Sequence, residues 1–392
     1  MELPTNTVNT TSDITWVTCL FDIRSRENKT VDNNMGVKMS SDYLIYGEFT
    51  MALDVPLIIY IDQKYEEYCI EKRKDKMDKT LIIPMDFEDL PYYVKMNYIT
   101  EIYNKETFRK DKFTPLYTVL TWSKFSLLER SIKENHFNSK NFGWVDFGLI
   151  HVYVKSILHT NTVDVSSIQV FKDLAIEYNE TFNKTYNKCH IMKMGPCKVS
   201  GDAGYVFNVN YYNSLLVHLA GGMFSGPKNI MSIIINLFKR YAQNSIKENK
   251  YALEEKILSH IHMDIPELFD LYYGDYYEII SNSLKFTKNL RYLTYHLIHF
   301  RKLGYTDKII SICEPIFNMF KNNHFNNEDQ TYCSKFFDEY YLAWFYKNKN
   351  KAFEIAKFYA DRITTNEKFK KAFEENEPHI RKNFSYLSED VF

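Results

Sequence analysis

The segment Asn141-Phe142-Gly143-Trp144-Val145-Asp146-Phe147-Gly148 decides how the rest of this chain is read. Phe142 to Val145 is a short β-rich run, and it delivers an aspartate, Asp146, where the strand should end. Three other runs share its character: Thr15 to Phe21, ending in Asp22-Ile23-Arg24; Pro56 to Ile61, ending in Asp62; and Leu81 to Ile83, before Pro84. Short β-rich runs alternating with helical ones predict an α/β sheet. In open α/β sheets ligands bind beyond the carboxyl ends of strands, which makes Asp22, Asp62 and Asp146 candidate functional residues. Aspartate is also a common turn residue after a strand, so position alone leaves both readings open.

Immediately before this segment, Thr114-Pro115 opens a helix whose residues Leu116, Val119, Trp122, Phe125, Leu128 and Ile132 recur at three and four. That stripe should pack on the sheet. Lys124 lies off it and faces either solvent or a phosphate. After Asp146 an irregular region runs to Gly204, followed by a strand-like run at Tyr205 to Val209 and a helical one at Tyr212 to Leu219. Ala220 to Pro227 (AGGMFSGP) reads as a glycine-rich loop before a helix, with Ser225 as its cap and Pro227 near its first turn. A loop of this kind, through Gly221 and Gly222, can hold an anion or a sugar hydroxyl, or can be a plain junction. The helix that follows carries Ile230, Ile233, Ile234, Leu237, Phe238 and Tyr241 on one face. Tyr251 to His262 is a further helix with Glu254 and Glu255 in its first turn, where the helix dipole stabilises carboxylates. His260 and His262, two apart, fall on different faces.

Beyond about Asn282 the strand signals stop. Leu290 to Leu303, Asp307 to Phe320, Asp329 to Tyr346 and Lys351 to Ile363 read as two helical hairpins, turning at Gly304-Tyr305-Thr306 and Lys347 to Asn350. The expected organisation is a disordered tail at 1–12, an α/β domain at 13–282, and a smaller all-helical domain of paired-helix repeats at 283–392. The tail after Glu374 is expected to fray.

The 392 residues are 45% apolar and 25% charged, enough for a sizeable core. With 49 basic and 50 acidic side chains the net charge is −1, so no global field draws the chain to nucleic acid or to an anionic membrane. The six cysteines form no CxxC pair, and free thiols in a reducing compartment are the expectation. Cys189, His190 and Cys197 make at most a partial metal site. No signal-peptide pattern and no apolar run of spanning length is found, and a cytoplasmic location is expected, the host cytoplasm if the chain is viral. No GxGxxG, GxxxxGK[ST] or GxSxG motif occurs, which argues against other nucleotide-dependent enzymes and against a nucleophile-elbow hydrolase.

Six segments in order resemble the HtrL/YibB family of glycosyltransferase-like proteins: Thr15 to Arg24, Asp54 to Asp62, Pro115 to Lys124, Asn141 to Gly148, Ala220 to Gly226 and Pro266 to Tyr276 (PELFDLYYGDY). The resemblance implies a GT-A-like nucleotide-sugar transferase sheet with helices on both faces. It implies transfer of a sugar, as by a hexosyltransferase, from a nucleoside-diphosphate sugar, a UDP-sugar first, to a hydroxyl of a glycan, lipid-linked glycan or protein. Asp146 then stands at the position of an Asp-x-Asp metal motif and would contact Mn²⁺ or Mg²⁺. Gly148 replaces the second carboxylate, so protein coordination of the metal is thin. On the same analogy Asp22, Arg24, Asp62, Lys124, Trp144 and Gly148 line the donor crevice. Gly221 and Gly222 border the donor sugar or acceptor, and one of Glu254 and Glu255, the latter preferred, deprotonates the acceptor. The alternative is a catalytically silent protein on the same fold that acts through its helical C-terminal domain, where a protein partner or a second copy could dock.

Overall fold

The computed structural model describes residues 13–27, 40–105, 114–154, 163–194, 219–274, 276–284, 304–322 and 330–365, with Leu158 and single positions among 290–301. The readings at Tyr205 to Val209, at 212–218, at Cys197, at both chain ends and over most of Leu290 to Leu303 lie outside these residues. Two compact units divide the chain. The first carries the sheet and reaches Leu284, and the second comprises Lys285–Phe392 with the short pieces 194–196 and 273–275.

Among the described residues seven strands form one sheet: β1 (Ile14–Leu20), β2 (Leu57–Asp62), β3 (Thr80–Met85), β4 (Asn141–Val145), β5 (Cys189–Lys193), β6 (Leu219–Pro227) and β7 (Phe269–Tyr273). Their spatial order is β3-β2-β1-β4-β6-β5-β7. β1 pairs in parallel with β2 and β4, and β2 with β3, whereas β6 runs antiparallel to both β4 and β5. The parallel strands are near-continuous apolar runs, as burial on both faces requires; all six residues of β2 are buried. From β1 the chain steps outward to β2 and β3, then crosses back to β4 on the other side of β1. The order therefore reverses between β1 and β4, and a crevice opens at their carboxyl ends.

Both faces of the sheet are covered, and register decides which side chain goes where. The longer helices among the described residues of this unit are α1 (Ser40–Ala52), α2 (Glu66–Arg73), α3 (Met96–Lys105), α4 (Pro115–Glu134), α5 (Ser167–Glu177), α6 (Lys228–Lys247) and α7 (Glu254–Asp264). α4 starts as the sequence predicts: Thr114 Oγ1 caps the Tyr117 N–H at 3.2 Å, Pro115 opens the first turn, and Asn135 closes the helix at φ 41°. Its Val119, Trp122, Phe125 and Leu128 pack with Val17, Phe142 and Trp144 from one face of the sheet. On the opposite face Trp16 donates its indole N–H to the Phe182 carbonyl at 2.7 Å and lies across Gly143, its register partner on β4. Any Cβ at 143 would sit 2.6 Å from that ring.

A buried arginine ties down the entry to β2. Arg73 Nη1 donates to the carbonyls of Met51 and Leu53, Nη2 to that of Val55 at 3.1 Å, and Nε to Thr80 Oγ1 at 2.9 Å. Burial pulls its pKa down to about 10.

Two sequence readings need correction. Ala220 to Pro227 is strand β6, inside the sheet, and its glycines serve close approach: a Cβ at Gly226 would lie 2.9 Å from the Lys188 carbonyl oxygen. Ser225 accordingly pairs across to Gly143 and His190 within the sheet and caps nothing, and α6 begins at Lys228 after Pro227 with no side-chain cap. The helix expected from Tyr251 begins at Glu254: Leu253 is extended, Tyr251, Ala252 and Leu253 are buried, and Trp122 Nε1 donates to the Ala252 carbonyl at 3.0 Å.

The second unit contains α8 (Thr306–Lys321), α9 (Gln330–Phe345) and α10 (Lys349–Thr365). Phe317, Phe320, Phe336, Phe337, Tyr340 and Tyr359 interlock at its centre, with Phe337 stacked on Tyr359 at 4.7 Å.

Candidate functional site

At the carboxyl end of β4 the chain leaves the sheet at Asp146, whose N–H still donates to the Gly222 carbonyl of β6 at 2.8 Å. The two oxygens of Asp146 have different surroundings. Oδ1 accepts from Trp144 Nε1 at 2.8 Å and lies 3.0 Å from Lys124 Nζ. Oδ2 faces the backbone of Gly222, 3.5 Å from where a Cβ there would stand.

Lys124 is turned inward from the middle of α4 and is 4% exposed, so the solvent-or-phosphate expectation fails in its first half. Its ammonium reaches Asp146 Oδ1, Glu254 Oε1 at 3.1 Å and the Gly221 carbonyl at 3.3 Å, and stands 5.7 Å from the centre of the Trp144 ring. Those three contacts use its three protons. Burial opposes the charge, yet the Asp146 and Glu254 carboxylates outweigh it and raise the pKa above the usual lysine range.

Glu254 opens α7, and its carboxylate is buried where the unpaired N–H groups of that helix favour negative charge. Its second oxygen, Oε2, is buried without a hydrogen-bond partner. Beside it Glu255 accepts from the Gly221 N–H at 3.5 Å. Its low-polarity surroundings, and then the charge of Glu254, push the Glu255 pKa up to about 8, against the pull of Lys124. Gly221 packs closely on both acids: a Cβ there would come within 3.2 Å of Glu254 Oε1 and 3.1 Å of Glu255 Cγ.

Three tyrosines surround these acids, and the sequence reading singled out none of them. Tyr276 brings its hydroxyl to 2.7 Å from the Cβ position of Gly222. Burial and the charges of Glu255, Asp146 and Glu254 hold its phenol well above its ordinary pKa. Tyr117 is raised in the same way by burial and by Glu254, Glu255 and Asp146. Burial also raises Tyr43, with Arg24 pulling it down and Asp146 pushing it up, so Arg24 and Asp146 act on one ring. A signal existed for Tyr117, which lies seven residues before Lys124 and therefore on the same face of α4. Tyr276 closes the PELFDLYYGDY segment; Tyr43 had no sequence signal.

The structure thus brings together Asp146, Trp144, Lys124, Gly221, Gly222, Glu254 and Glu255. Asp22 and Asp62 make their own contacts at the ends of β1 and β2. Asp22 caps the turn Ile23–Arg26 through the Ser25 N–H at 3.1 Å, accepts from Ser25 Oγ and Ser40 Oγ, and pairs with Lys64 at 2.5 Å. Burial works against its charge, but Lys64, Ser40 and Ser25 hold its carboxyl below the usual range. Arg24 pairs with Glu27 at 2.9 Å, and Asp62 faces Arg26 at 3.9 Å.

Gly148 cannot be replaced by a second carboxylate, because a Cβ there would meet the Tyr43 ring at 2.6 Å. Among the described residues no group of three His, Cys, Asp or Glu side chains is placed to hold a metal ion. Asp146 Oδ2 is therefore the oxygen left for a hard cation, which fits only if the substrate supplies most of the remaining ligands. His190 is committed elsewhere: Nδ1 faces Asp270 at 3.0 Å, Nε2 faces the Ser283 carbonyl at 3.0 Å, and the ring stacks on Tyr186 and Tyr272. His260 and His262 pack on Tyr241 and Phe269 respectively. No described helix is long and apolar enough to cross a membrane.

No curated protein matches the sequence. Among solved structures, mouse xyloside xylosyltransferase 1 in its apo form is similar at 10% identity over 67% of this chain and 85% of that one, with a TM-score of 0.33. The family model described as a bacterial protein of unknown function (HtrL_YibB) matches residues 12–282, well over half of the sequence, and the chain belongs to that family.

Proposed function

We propose that this chain transfers a sugar from a nucleoside-diphosphate sugar, a UDP-sugar first, to a hydroxyl of a glycan, lipid-linked glycan or protein, on a GT-A-like sheet. The observation that carries the reading is the group Asp146, Glu254 and Glu255, joined through Lys124 and Gly221 at the strand-order reversal, with a buried Glu254 oxygen that lacks a partner. A buried acceptor with no donor is costly, and a substrate hydroxyl is a donor of the right kind.

In the transfer the acceptor oxygen bonds to the sugar's anomeric carbon. The bond from that carbon to the diphosphate breaks, and its electron pair leaves with the phosphate oxygen. The acceptor's proton goes to Glu255, whose raised pKa makes it a stronger base than an ordinary carboxylate once it is ionised, so transfer should rise as pH approaches about 8. Arg24, whose charge reaches the same tyrosine as that of Asp146, is the residue we assign to the donor phosphates. A bound Mn²⁺ or Mg²⁺, meeting the protein at Asp146, would neutralise charge developing on the leaving group.

A thermal-shift screen of UDP-, GDP- and dTDP-sugars with and without Mn²⁺ tests this. Ligand at a hundredfold over its Kd adds about 2.7 kcal/mol to the native state. Stabilisation by one nucleotide sugar, lost in Asp146→Asn, is expected; no shift with any of them sinks the proposal. The closed position at Gly148 favours a second reading, a silent binding protein, which predicts binding without any release of nucleoside diphosphate.

A further inference from the structure

The run Trp144-Val145-Asp146 puts two side chains on one face of an extended chain, since residues two apart on a strand point the same way. The indole of Trp144 reaches forward along β4 and donates to Asp146 Oδ1 at 2.8 Å. A buried indole N–H needs an acceptor, and a main-chain carbonyl is enough: Trp16 uses that of Phe182 and Trp122 that of Ala252. Trp144 is only 1% exposed, yet its proton goes to a carboxylate at the strand-order reversal. Lys124 approaches the same oxygen at 3.0 Å and stands 5.7 Å from the centre of the indole ring, so ring, ammonium and carboxylate hold one another in place.

The last torsion of an aspartate is soft, and one donor leaves the carboxylate free to turn about that bond. Two donors on Oδ1, one from a rigid ring locked in the core and one from α4, fix its plane and leave Oδ2 for a cation. Packing alone would be served by phenylalanine; what tryptophan adds is the N–H. We infer that Trp144 is a positioning residue: its indole N–H, acting with Lys124, orients Asp146 so that Oδ2 meets the divalent cation that accompanies the donor diphosphate. This rests on the transferase reading above, and it gives Trp144 a role exerted through Asp146 rather than as a lining of the crevice.

The test is Mn²⁺ binding to the full chain, read as free Mn²⁺ by electron paramagnetic resonance with UDP saturating, or GDP or dTDP if the thermal-shift screen prefers another base. The native protein is compared with Trp144→Phe. Losing a hydrogen bond that orients a metal ligand weakens metal binding about ten- to a hundredfold, and the variant should need that much more Mn²⁺ for half-saturation. The nucleoside diphosphate alone, measured by calorimetry in EDTA, should bind both proteins equally. An Mn²⁺ curve that does not move, or an equal weakening of the diphosphate in EDTA, marks a tryptophan that only fills the core; either overturns the inference and leaves the transferase reading standing. A native protein that binds a nucleotide sugar but no Mn²⁺ with it does the same. A second measurement needs no variant: the indole N–H resonance of Trp144, assigned through its bonded neighbours in the native protein, should shift when Mg²⁺ is added to the UDP complex, while those of Trp16 and Trp122 stay. An unmoved Trp144 resonance at saturating Mg²⁺ overturns the inference even if Trp144→Phe fails to fold. Failure of the native protein to bind any nucleotide or nucleotide sugar overturns both readings.

Discussion

Lys124 is the residue on which the candidate site depends, because one ammonium is set among three carboxylates. Replacing it by methionine keeps the volume and strands two acids: Glu254, which is buried, and Asp146, which is half-buried. Breaking a buried ion pair from one side costs about 3–5 kcal/mol, so denaturant unfolding of Lys124→Met should show a midpoint well below that of the native protein. Lys124→Arg should not restore it, since a planar fork cannot point three protons at Asp146, Glu254 and the Gly221 carbonyl. An unchanged midpoint in Lys124→Met would mean that the three contacts contribute nothing. Asp146, Glu254 and Glu255 could each be picked out from sequence by position, at a strand end and in a helix's first turn. Their meeting could not, because Lys124 and Glu254 are 130 residues apart and only the sheet's register brings them together. Lying off the apolar stripe identified Lys124 as polar but said nothing about whether its direction led to solvent or to a strand end.

At the level of elements, the reading worked where a local signal decides the outcome and failed where a neighbour does. α4 was legible from its Thr-Pro start and its stripe, both short-range features. β6 was not: three glycines and a proline within eight residues argue for a loop in isolation, and only the close packing of Lys188, Glu254, Glu255 and Tyr276 against those positions explains them as strand. Gly143 shows the same logic on β4. Gly143→Ala would place a methyl against the Trp16 ring and force that indole off its bond to Phe182, at a cost of about 1–3 kcal/mol. Thermal denaturation checks this; a variant as stable as the native protein would show that the indole can move freely. A glycine in a strand would ordinarily gain from the same change.

For the whole molecule, the raised Glu255 sets a direction for stability against pH. Its ordinary value is 4.5 and its value in the fold is about 8. Between those limits the folded chain keeps a proton that the unfolded chain has released, so stability is greatest at the acidic end of the window and falls as pH rises through it. Chemical denaturation across that range should show this slope, flatter in Glu255→Gln; an identical slope in the variant would remove Glu255 as its source. The order of the sheet has one more consequence, in time. β1 to β4, Lys124 and Asp146 all precede residue 155, while Gly222, Glu254 and Tyr276 come much later in the chain. At about 5–20 residues per second, Glu254 is polymerised roughly 5–20 seconds after Asp146. During that interval a growing chain can assemble its parallel strands but holds Lys124 with only part of its counter-charge, and strand β4 with an open edge. The site is completed last, so a nascent chain stalled before β6 would present that edge to whatever lies near the ribosome.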